Sequence, residues 1–230
     1  MTITSVLFDL DGTLLDRDKS IAQFIDSQYD RLHHHSNHIH KVEYTKRFIE
    51  LDANGYVWKD EVYRVLVAEF KIEGPTWQDL LHDYETQFQF HCVPFPLLTK
   101  MLATLKQQGY SLGIISNGRG EFQHRAISGL GIGDYFDTIL ISEIEGMRKP
   151  ESVIFQRGID RLGSSAQNSI FVGDNPTADI DGAKQAGMRA IWKRNPHWQE
   201  AKRADAIIDE LIEIPSILER FDNTIDRENS

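Results

Sequence analysis

From about residue 110 to the C terminus, short apolar runs alternate with segments of helical periodicity, and this alternation restricts the fold more than any other feature. It is typical of a parallel sheet that helices cover on both faces. We therefore predict an α/β fold. The expected strands are near-continuous apolar runs, as strands buried on both faces are: Ser111–Ile115, Thr138–Ile141, Ser169–Val172, Arg189–Trp192, Ala206–Ile208 and, from the N terminus, Ile3–Phe8.

A helical insert is predicted for residues 16–92, because this stretch shows amphipathic helices with no strand between them. Thr76 and Asp79 form a capping-box pattern that starts one of these helices. Prolines mark the return to the sheet region near residue 93. We expect two domains, an α/β core made of residues 1–15 and 93–230 and a helical domain made of residues 16–92.

Composition excludes several classes of function. The formal net charge of −10 disfavours a nucleic-acid partner, whose phosphates require clustered basic side chains. Cys92 is the lone cysteine, so no internal disulfide can form. No apolar run is long enough to span a bilayer, and no membrane partner is expected. These features predict a cytoplasmic protein; they leave its oligomeric state open.

Two aspartates, Asp9 and Asp11, stand where the first apolar run ends at Gly12. Asp is a poor strand former, and two carboxylates at the end of a buried strand repel each other unless a cation or a proton intervenes. Mg²⁺ is the usual ion where few carboxylates share a metal with a phosphate. A plain Asp-Gly turn is the simpler interpretation of this fragment taken alone.

Polar residues also follow three further predicted strands: Ser116 and Asn117, then Lys149, then Asp174 and Asp179. Each group alone fits an ordinary turn or a surface charge. The carboxyl ends of parallel strands meet at one edge of a sheet, where ligands bind. Together, carboxylates, a hydroxyl and one lysine are the parts that phosphoryl transfer requires.

In this order the segments resemble the four motifs of the haloacid dehalogenase superfamily, and most closely its phosphoglycolate-phosphatase-like and β-phosphoglucomutase-like members. The matching segments are Asp9-Leu10-Asp11-Gly12-Thr13-Leu14, Ser116-Asn117-Gly118, Arg148-Lys149-Pro150-Glu151 and the run from Gly173 to Ile180. The helical insert resembles the family's C1 cap. The resemblance implies a Rossmann-like parallel sheet core with a C1 cap inserted after the first motif.

The resemblance also implies roles for individual residues. Asp9 is expected to be the nucleophile and Asp11 the general acid and base, with Ser116 and Lys149 also catalytic. The implied phosphate-binding groups are Ser116, Asn117, Lys149 and Gly12. The implied Mg²⁺ ligands are Asp9, the backbone carbonyl of Asp11, Asp174 and Asp179.

The expected function is a Mg²⁺-dependent phosphatase that acts on a small phosphorylated metabolite through an aspartyl phosphate. A phosphotransferase of the β-phosphoglucomutase type shares every one of these residues, and a non-catalytic regulator that binds a phosphometabolite could keep the same fold. A dehalogenase is disfavoured, because such relatives lack the second aspartate. The candidates for substrate selectivity are Asp16, Arg17, Arg47, Asn54 and Lys59, for which ordinary surface positions are an equally good interpretation.

A histidine cluster between the first two helices of the insert also suggests a metal site. Its members are His33, His34, His35, His38 and His40. Structural zinc sites usually include thiolates or ordered partners around the ligands, and the sequence shows neither. We favour a solvated end of the first helix, and the sequence leaves metal binding there open.

Overall fold

The computed structural model describes residues 2–32 and 38–228, with Leu32 and residues 223–228 described by their backbone alone. The chain forms two compact units. The core unit consists of residues 1–16 and 94–230, and the helical unit of residues 17–93. Each boundary lies one residue beyond the position expected from the sequence.

The core unit is built on a parallel sheet of six strands in the order β3-β2-β1-β4-β5-β6. The strands are β1 (Ser5–Phe8), β2 (Ser111–Ser116), β3 (Thr138–Ile141), β4 (Ser169–Gly173), β5 (Arg189–Lys193) and β6 (Ala206–Ile208). All six predicted strands are present, and the predicted α/β class is confirmed. β1, β2 and β4 are buried almost throughout, which explains their near-continuous apolar sequences.

The strand order reverses at β1, which pairs with β2 on one side and with β4 on the other. Phe8, its last residue, is in register with Ile114 of β2 and with Val172 of β4. The chain segments that leave these three strands therefore start side by side at one edge of the sheet. Such a switch point is where open α/β sheets bind their ligands.

The described residues of the helical unit form four α-helices. They are α1 (Arg17–Leu32), α2 (Lys41–Asp52), α3 (Lys59–Phe70) and α4 (Trp77–Gln87). Buried aromatic rings form much of its interior, and Phe24 packs edge-on against Tyr84 with centroids 5.2 Å apart. The predicted capping box is present, since Thr76 and Asp79 cap each other at the start of α4. The helical character predicted for the insert is confirmed.

Helices of the core unit follow the strands. They are α5 (Leu98–Gln107), α6 (Gly120–Leu130), α7 (Ser142–Glu145), α8 (Ser152–Arg161), α9 (Gly182–Gln185) and α10 (Ile214–Glu228). α8 buries Phe155, whose ring meets that of Phe171 on β4 edge-on with centroids 5.0 Å apart. Among the described helices, none combines the length and the apolar composition that crossing a membrane requires.

Part of the histidine cluster, His33 to His35, lies outside the described residues. His38 is described, and its Nε2 lies 2.7 Å from the carbonyl oxygen of Phe70 at the end of α3. That contact ties His38 to the backbone of the helical unit. Metal binding by the cluster stays open.

Candidate functional site

The loop after β1 presents the first pair of predicted site residues. Leu10, Leu14 and Leu15 are fully buried, and the amides of Leu14 and Leu15 both donate to the carbonyl oxygen of Leu10 at 2.9 Å. Apolar anchors thus hold a tight turn between the strand and the helical unit. Asp9 lies at the buried start of this turn, and Asp11 lies in its half-buried middle.

Gly12 is required for two reasons. Its φ of +82° favours glycine, and a Cβ at this position would overlap the carboxylate of Asp174. Its amide donates to the carbonyl oxygen of Leu15 at 2.9 Å, so that N–H group is used within the loop. These contacts indicate that Gly12 makes room for the Asp174 side chain. Phosphate binding by Gly12 stays a prediction.

One lysine and three carboxylates meet at the edge of the sheet. Lys149 Nζ lies 2.5 Å from Asp9 Oδ1 and 2.7 Å from Asp179 Oδ1. Asp9, Asp174 and Asp179 each offer an oxygen, and these three oxygens lie within 4.8 Å of one another. All four side chains are buried. The predicted convergence of residues that follow different strands is therefore present in the structure.

The charges of this cluster do not balance. Burial raises the pKa of Asp9 well above its ordinary value, although Lys149 opposes the shift. Burial and the neighbouring Asp179 raise the pKa of Asp174 to about 7. Burial alone would lower the pKa of Lys149, but Asp179 and Asp9 outweigh it and keep the lysine charged. With all three carboxylates ionised, the site holds two more negative than positive charges.

A divalent cation fits this surplus. Buried carboxylate oxygens are the hard ligands that Mg²⁺ and Ca²⁺ prefer, and a +2 ion offsets the excess negative charge. Within the described part of the chain, these three aspartates are the group of acidic, histidine or cysteine side chains that could hold an ion. The residues present therefore fit the predicted metal.

Asp174 is held by side chains that sequence reasoning missed. Asn195 Nδ2 donates to Asp174 Oδ2 at 2.6 Å, and Trp198 Nε1 donates to the same oxygen at 3.1 Å. Trp192 Nε1 donates to the backbone carbonyl of Asp174 at 2.5 Å. Asn195 and Trp198 follow β5, the neighbour of β4, so the rule that finds polar residues at strand ends could have indicated them.

Asp179 follows Asp174 through a π-helical turn, Pro176–Asp181. Asn175 begins this turn, and its side chain accepts from the amides of Thr177 and Ala178. The amide of Asn175 donates to Asp179 Oδ2 at 2.9 Å, which fixes the carboxylate against the turn. π-Helical turns are rare and often occur at functional sites.

Ser116 and Asn117 end β2 on the other side of β1. Ser116 is fully buried, and its Oγ has no hydrogen-bond partner among the residues that the structure describes. Asn117 Oδ1 accepts from the amide of Lys149 at 2.9 Å, and Asn117 Nδ2 donates to the Lys149 carbonyl at 3.0 Å. The Asn117 side chain thus fixes the loop that carries the lysine.

Gln123 is a further residue that sequence reasoning missed. It lies in the first turns of α6, and its Nε2 donates to Asp11 Oδ2 at 2.8 Å. No signal in the sequence indicated this contact, because Gln123 follows the second motif by several residues inside an ordinary amphipathic helix.

The residues proposed for selectivity fall into different environments. Arg17 Nη2 lies 2.8 Å from Asp52 Oδ2, and Lys59 also pairs with Asp52. Burial opposes ionisation of Asp52, but the charges of Arg17 and Lys59 outweigh it and lower the pKa of its carboxyl. The structure brings these two candidates together in the helical unit, through a partner that was not predicted.

The other candidates are separate from that cluster. Arg47 makes two hydrogen bonds of 2.7 Å to the exposed carboxylate of Glu69. Asn54 adopts a left-handed conformation in an exposed turn, with φ of 57°. Asp16 is the buried last residue of the first core segment.

The comparisons with known proteins agree with this geometry. Residues 6–193 match the model of the haloacid dehalogenase-like hydrolase family. The chain is 30% identical to a glyceraldehyde 3-phosphate phosphatase of Pyrococcus furiosus, over 98% of this chain and 97% of the relative. It is 33% identical to the protein of the same name from Methanocaldococcus jannaschii, over 95% and 98% of the two chains.

A solved structure is similar over nearly its whole length. A HAD phosphatase from Thermococcus onnurineus superposes with a TM-score of 0.67 at 29% identity, and the match covers 94% of this chain and 98% of the other. Both the sheet and the helical insert thus have counterparts in proteins described as phosphatases.

Proposed function

The chain belongs to the haloacid dehalogenase-like hydrolase family, and from this membership we propose that it is a Mg²⁺-dependent phosphatase that hydrolyses a small phosphorylated metabolite through a phosphoaspartate at Asp9. The observation that carries the proposal is the buried cluster of Asp9, Asp174 and Asp179 around Lys149. A cluster with this surplus of carboxylates is costly for folding, so its presence favours a role in chemistry.

We propose that Asp9, Asp174 and Asp179 hold the metal together with the backbone carbonyl of Asp11. Bound there, Mg²⁺ would offset the charge that otherwise separates an anionic nucleophile from an anionic phosphate. The fit rests on hard oxygen donors within 4.8 Å of one another and on their excess negative charge. Asn195 and Trp198 orient Asp174 for this task.

In the first step, a carboxylate oxygen of Asp9 attacks phosphorus, and the bond between phosphorus and the ester oxygen breaks. The leaving oxygen takes the proton of the Asp11 carboxyl group and departs as an alcohol. Asp9 now carries the phosphoryl group and Asp11 is a carboxylate. Lys149, 2.5 Å from Asp9 Oδ1, stabilises the charge that develops around the nucleophile.

In the second step, a water molecule attacks the same phosphorus atom, and Asp11 accepts its proton. The bond between phosphorus and the Asp9 oxygen breaks, which releases inorganic phosphate and restores the Asp9 carboxylate. The proton that Asp11 gave to the alcohol is replaced by the proton from water, so the enzyme returns to its starting state.

Ser116 and Asn117 are proposed to bind the phosphoryl oxygens. A fully buried hydroxyl with no described partner is uncommon in folded proteins, because the lost hydrogen bonds to water are normally replaced. A phosphoryl oxygen would supply the missing partner of Ser116 Oγ. The amide of Asn117 is the second proposed donor, and its side chain already fixes Lys149.

We propose the helical unit as the cap domain, with Arg17 and Lys59 as its candidates for substrate selectivity. Relatives named glyceraldehyde 3-phosphate phosphatases suggest a short phosphorylated metabolite. Alanine at Lys59 is expected to change the ranking of substrates, and alanine at Arg47, held by Glu69 on the surface, is the comparison expected to leave it unchanged.

The test is release of free phosphate from short-chain, sugar and nucleotide phosphates, with Mg²⁺ and with EDTA. We expect release that requires the metal and that Asp9→Asn abolishes. A product that keeps its phosphate at a new position would indicate a mutase instead. Binding of phosphorylated compounds without any turnover by the metal-loaded protein would indicate a non-catalytic regulator and would overturn the proposal.

A further inference from the structure

Asp11, the proposed general acid, receives a hydrogen bond from a side chain outside the four motifs. Among the residues that the structure describes, this side chain is Gln123. Its Nε2 donates to Asp11 Oδ2 at 2.8 Å, and the two residues are 112 positions apart in the chain. Only 4% of Gln123 is exposed. The contact links α6, which follows β2, with the loop that follows β1.

The other end of the same amide is unusual. Gln123 Oε1 is buried and has no hydrogen-bond partner in the part of the chain that the structure describes. An unsatisfied buried acceptor costs free energy, and an apolar side chain of the same size would avoid that cost. A glutamine at this position is therefore poorly explained by packing alone. Its Nε2 makes two contacts that an apolar residue could not replace, the 2.8 Å bond to Asp11 Oδ2 and a longer one of 3.4 Å to the backbone carbonyl of Asn117, and the shorter of them reaches the proposed general acid.

The second motif makes room for this side chain. A Cβ on Gly118 would lie 2.5 Å from Gln123 Nε2 and 2.9 Å from its Cγ. The φ of Gly118 is one that other residues adopt readily, so backbone strain does not explain the glycine. We infer that Gly118 is needed because any larger residue would push the Gln123 amide away from Asp11.

We propose that Gln123 is a positioning residue that orients the Asp11 carboxyl group for proton transfer to the leaving oxygen, an inference that rests on the phosphatase function proposed above. Rotation of an Asp carboxyl about its last side-chain bond is only weakly restricted by its own covalent structure. A hydrogen bond to Oδ2 supplies the restraint from outside. Proton transfer depends on such alignment, because donor and acceptor must lie within hydrogen-bond reach.

This role has a specific kinetic signature. A phosphate ester with a poor leaving group, such as an alkyl alcohol, depends on proton donation as its bond to phosphorus breaks, whereas p-nitrophenolate leaves with little help. Loss of alignment should therefore slow alkyl phosphates more than p-nitrophenyl phosphate. A general loosening of the site would slow both substrates by the same factor.

The test compares Gln123→Met with the wild-type enzyme on p-nitrophenyl phosphate and on the alkyl phosphate that the wild type hydrolyses fastest. We expect kcat for the alkyl ester to fall about tenfold or more, against about threefold or less for the aryl ester, with KM little changed. The melting temperature should not fall, because methionine removes an unsatisfied acceptor. Ile127→Val, also buried on α6, is the matched control and should leave the ratio of the two kcat values unchanged.

Gly118→Ala provides an independent second variant, since it should displace the same amide and lower the same ratio while Gln123 itself is kept. Equal losses on both substrates in Gln123→Met and Gly118→Ala, or a marked loss of stability in Gln123→Met, would overturn the positioning role. Failure of the wild-type enzyme to release phosphate from any ester would instead overturn the proposed function, so the two failures are distinguishable.

Discussion

The two units each bury a small ionic cluster, and the clusters are built in opposite ways. In the core unit, one lysine, Lys149, faces Asp9 and Asp179 with Asp174 beside them. In the helical unit, one carboxylate, Asp52, faces two cations. The first cluster places three carboxylates around one lysine, whereas the second places two cations around one carboxylate, and its Arg17 side chain is 18% exposed.

The carboxyl pKa values of the two clusters move in opposite directions for this reason. Asp52 has its pKa lowered by two neighbouring cations, so its ionised form stabilises the folded chain. Asp174 has its pKa raised to about 7, so ionisation works against the folded state unless a cation is bound. The comparison teaches that ionised Asp52 stabilises the helical unit, whereas ionised Asp174 lowers the stability of the core unit, a cost that the proposed metal site would explain.

Asp9→Asn is expected to have the largest effect. Removal of the nucleophile should lower kcat for p-nitrophenyl phosphate by about 10⁴-fold or more, because no phosphoaspartate can form. Glu145→Gln is the control, since that carboxylate pairs with Arg157 and Arg161 and has no contact with the cluster among the described ion pairs. Activity of Asp9→Asn within tenfold of the wild type would show that the core cluster is not the site of chemistry.

Asp52→Asn should destabilise the protein by about 3 kcal/mol near neutral pH, because it removes the buried carboxylate that pairs with both Arg17 and Lys59. The folded pKa of Asp52 lies below the unfolded value of about 3.9. Its contribution is therefore complete above that unfolded pKa and is lost as the pH falls through the folded pKa. Urea denaturation at neutral and at acid pH measures the loss of stability and its dependence on pH. An equal stability of variant and wild type at neutral pH would contradict a folding role.

Asp174→Asn should have the opposite effect on stability in metal-free protein, with a gain of up to roughly 4 kcal/mol at about pH 8. Ionised Asp174 adds repulsion to the folded site, whereas asparagine is neutral and keeps an acceptor for Asn195 and Trp198. With a folded pKa of about 7 and an unfolded pKa near 3.9, the cost of ionisation is absent in acid and develops as the pH rises through 7.

The stability gained by Asp174→Asn should therefore shrink toward about pH 4. At saturating Mg²⁺ the variant should instead be less stable than the wild type, because only the wild type is stabilised by binding the metal. Denaturation of metal-free samples at the two pH values measures the difference. A loss of stability in metal-free Asp174→Asn at about pH 8 would show that the two clusters have the same role.

Trp198→Phe should have the smallest effect, a Mg²⁺ affinity about tenfold weaker, since it removes one N–H group that orients Asp174. Trp77→Phe in the helical unit is the matched control and should bind Mg²⁺ as the wild type does. Competition with a fluorescent chelator measures both affinities. Equal losses in the two variants would mean that the effect is not specific to the core cluster.

The sheet could be predicted because each of its strands carries the signal in its own residues. A parallel strand that is buried on both faces must be apolar almost throughout, as Ser169–Gly173 shows. Asp9 and Asp174 could be predicted for a related reason, since charged residues directly after such strands must meet at one edge. Lys149 and Asp179 follow their strands at a distance, so the strand ends indicated them less directly, and the motif resemblance was needed to assign their roles.

Asn195 and Trp198 were missed although they follow a strand, whereas Gln123 and Asp52 act through contacts that leave no local pattern in the sequence. Gln123 occupies an ordinary buried position of an amphipathic helix, and only the fold brings its amide to Asp11. Asp52 at the end of α2 is likewise unremarkable in sequence, and its role arises from Arg17 at a distance of 35 residues. Pairing across such separations depends on how helices pack, which periodicity does not encode.

The most direct test of the core cluster is equilibrium dialysis of the metal-free protein against Mg²⁺, with the bound metal measured by atomic absorption. We expect one Mg²⁺ per chain in the wild type and in Glu145→Gln, and a loss of this binding in Asp174→Asn. Equal binding by the wild type and Asp174→Asn, or no binding by the wild type at millimolar Mg²⁺, would contradict a metal site built from Asp9, Asp174 and Asp179.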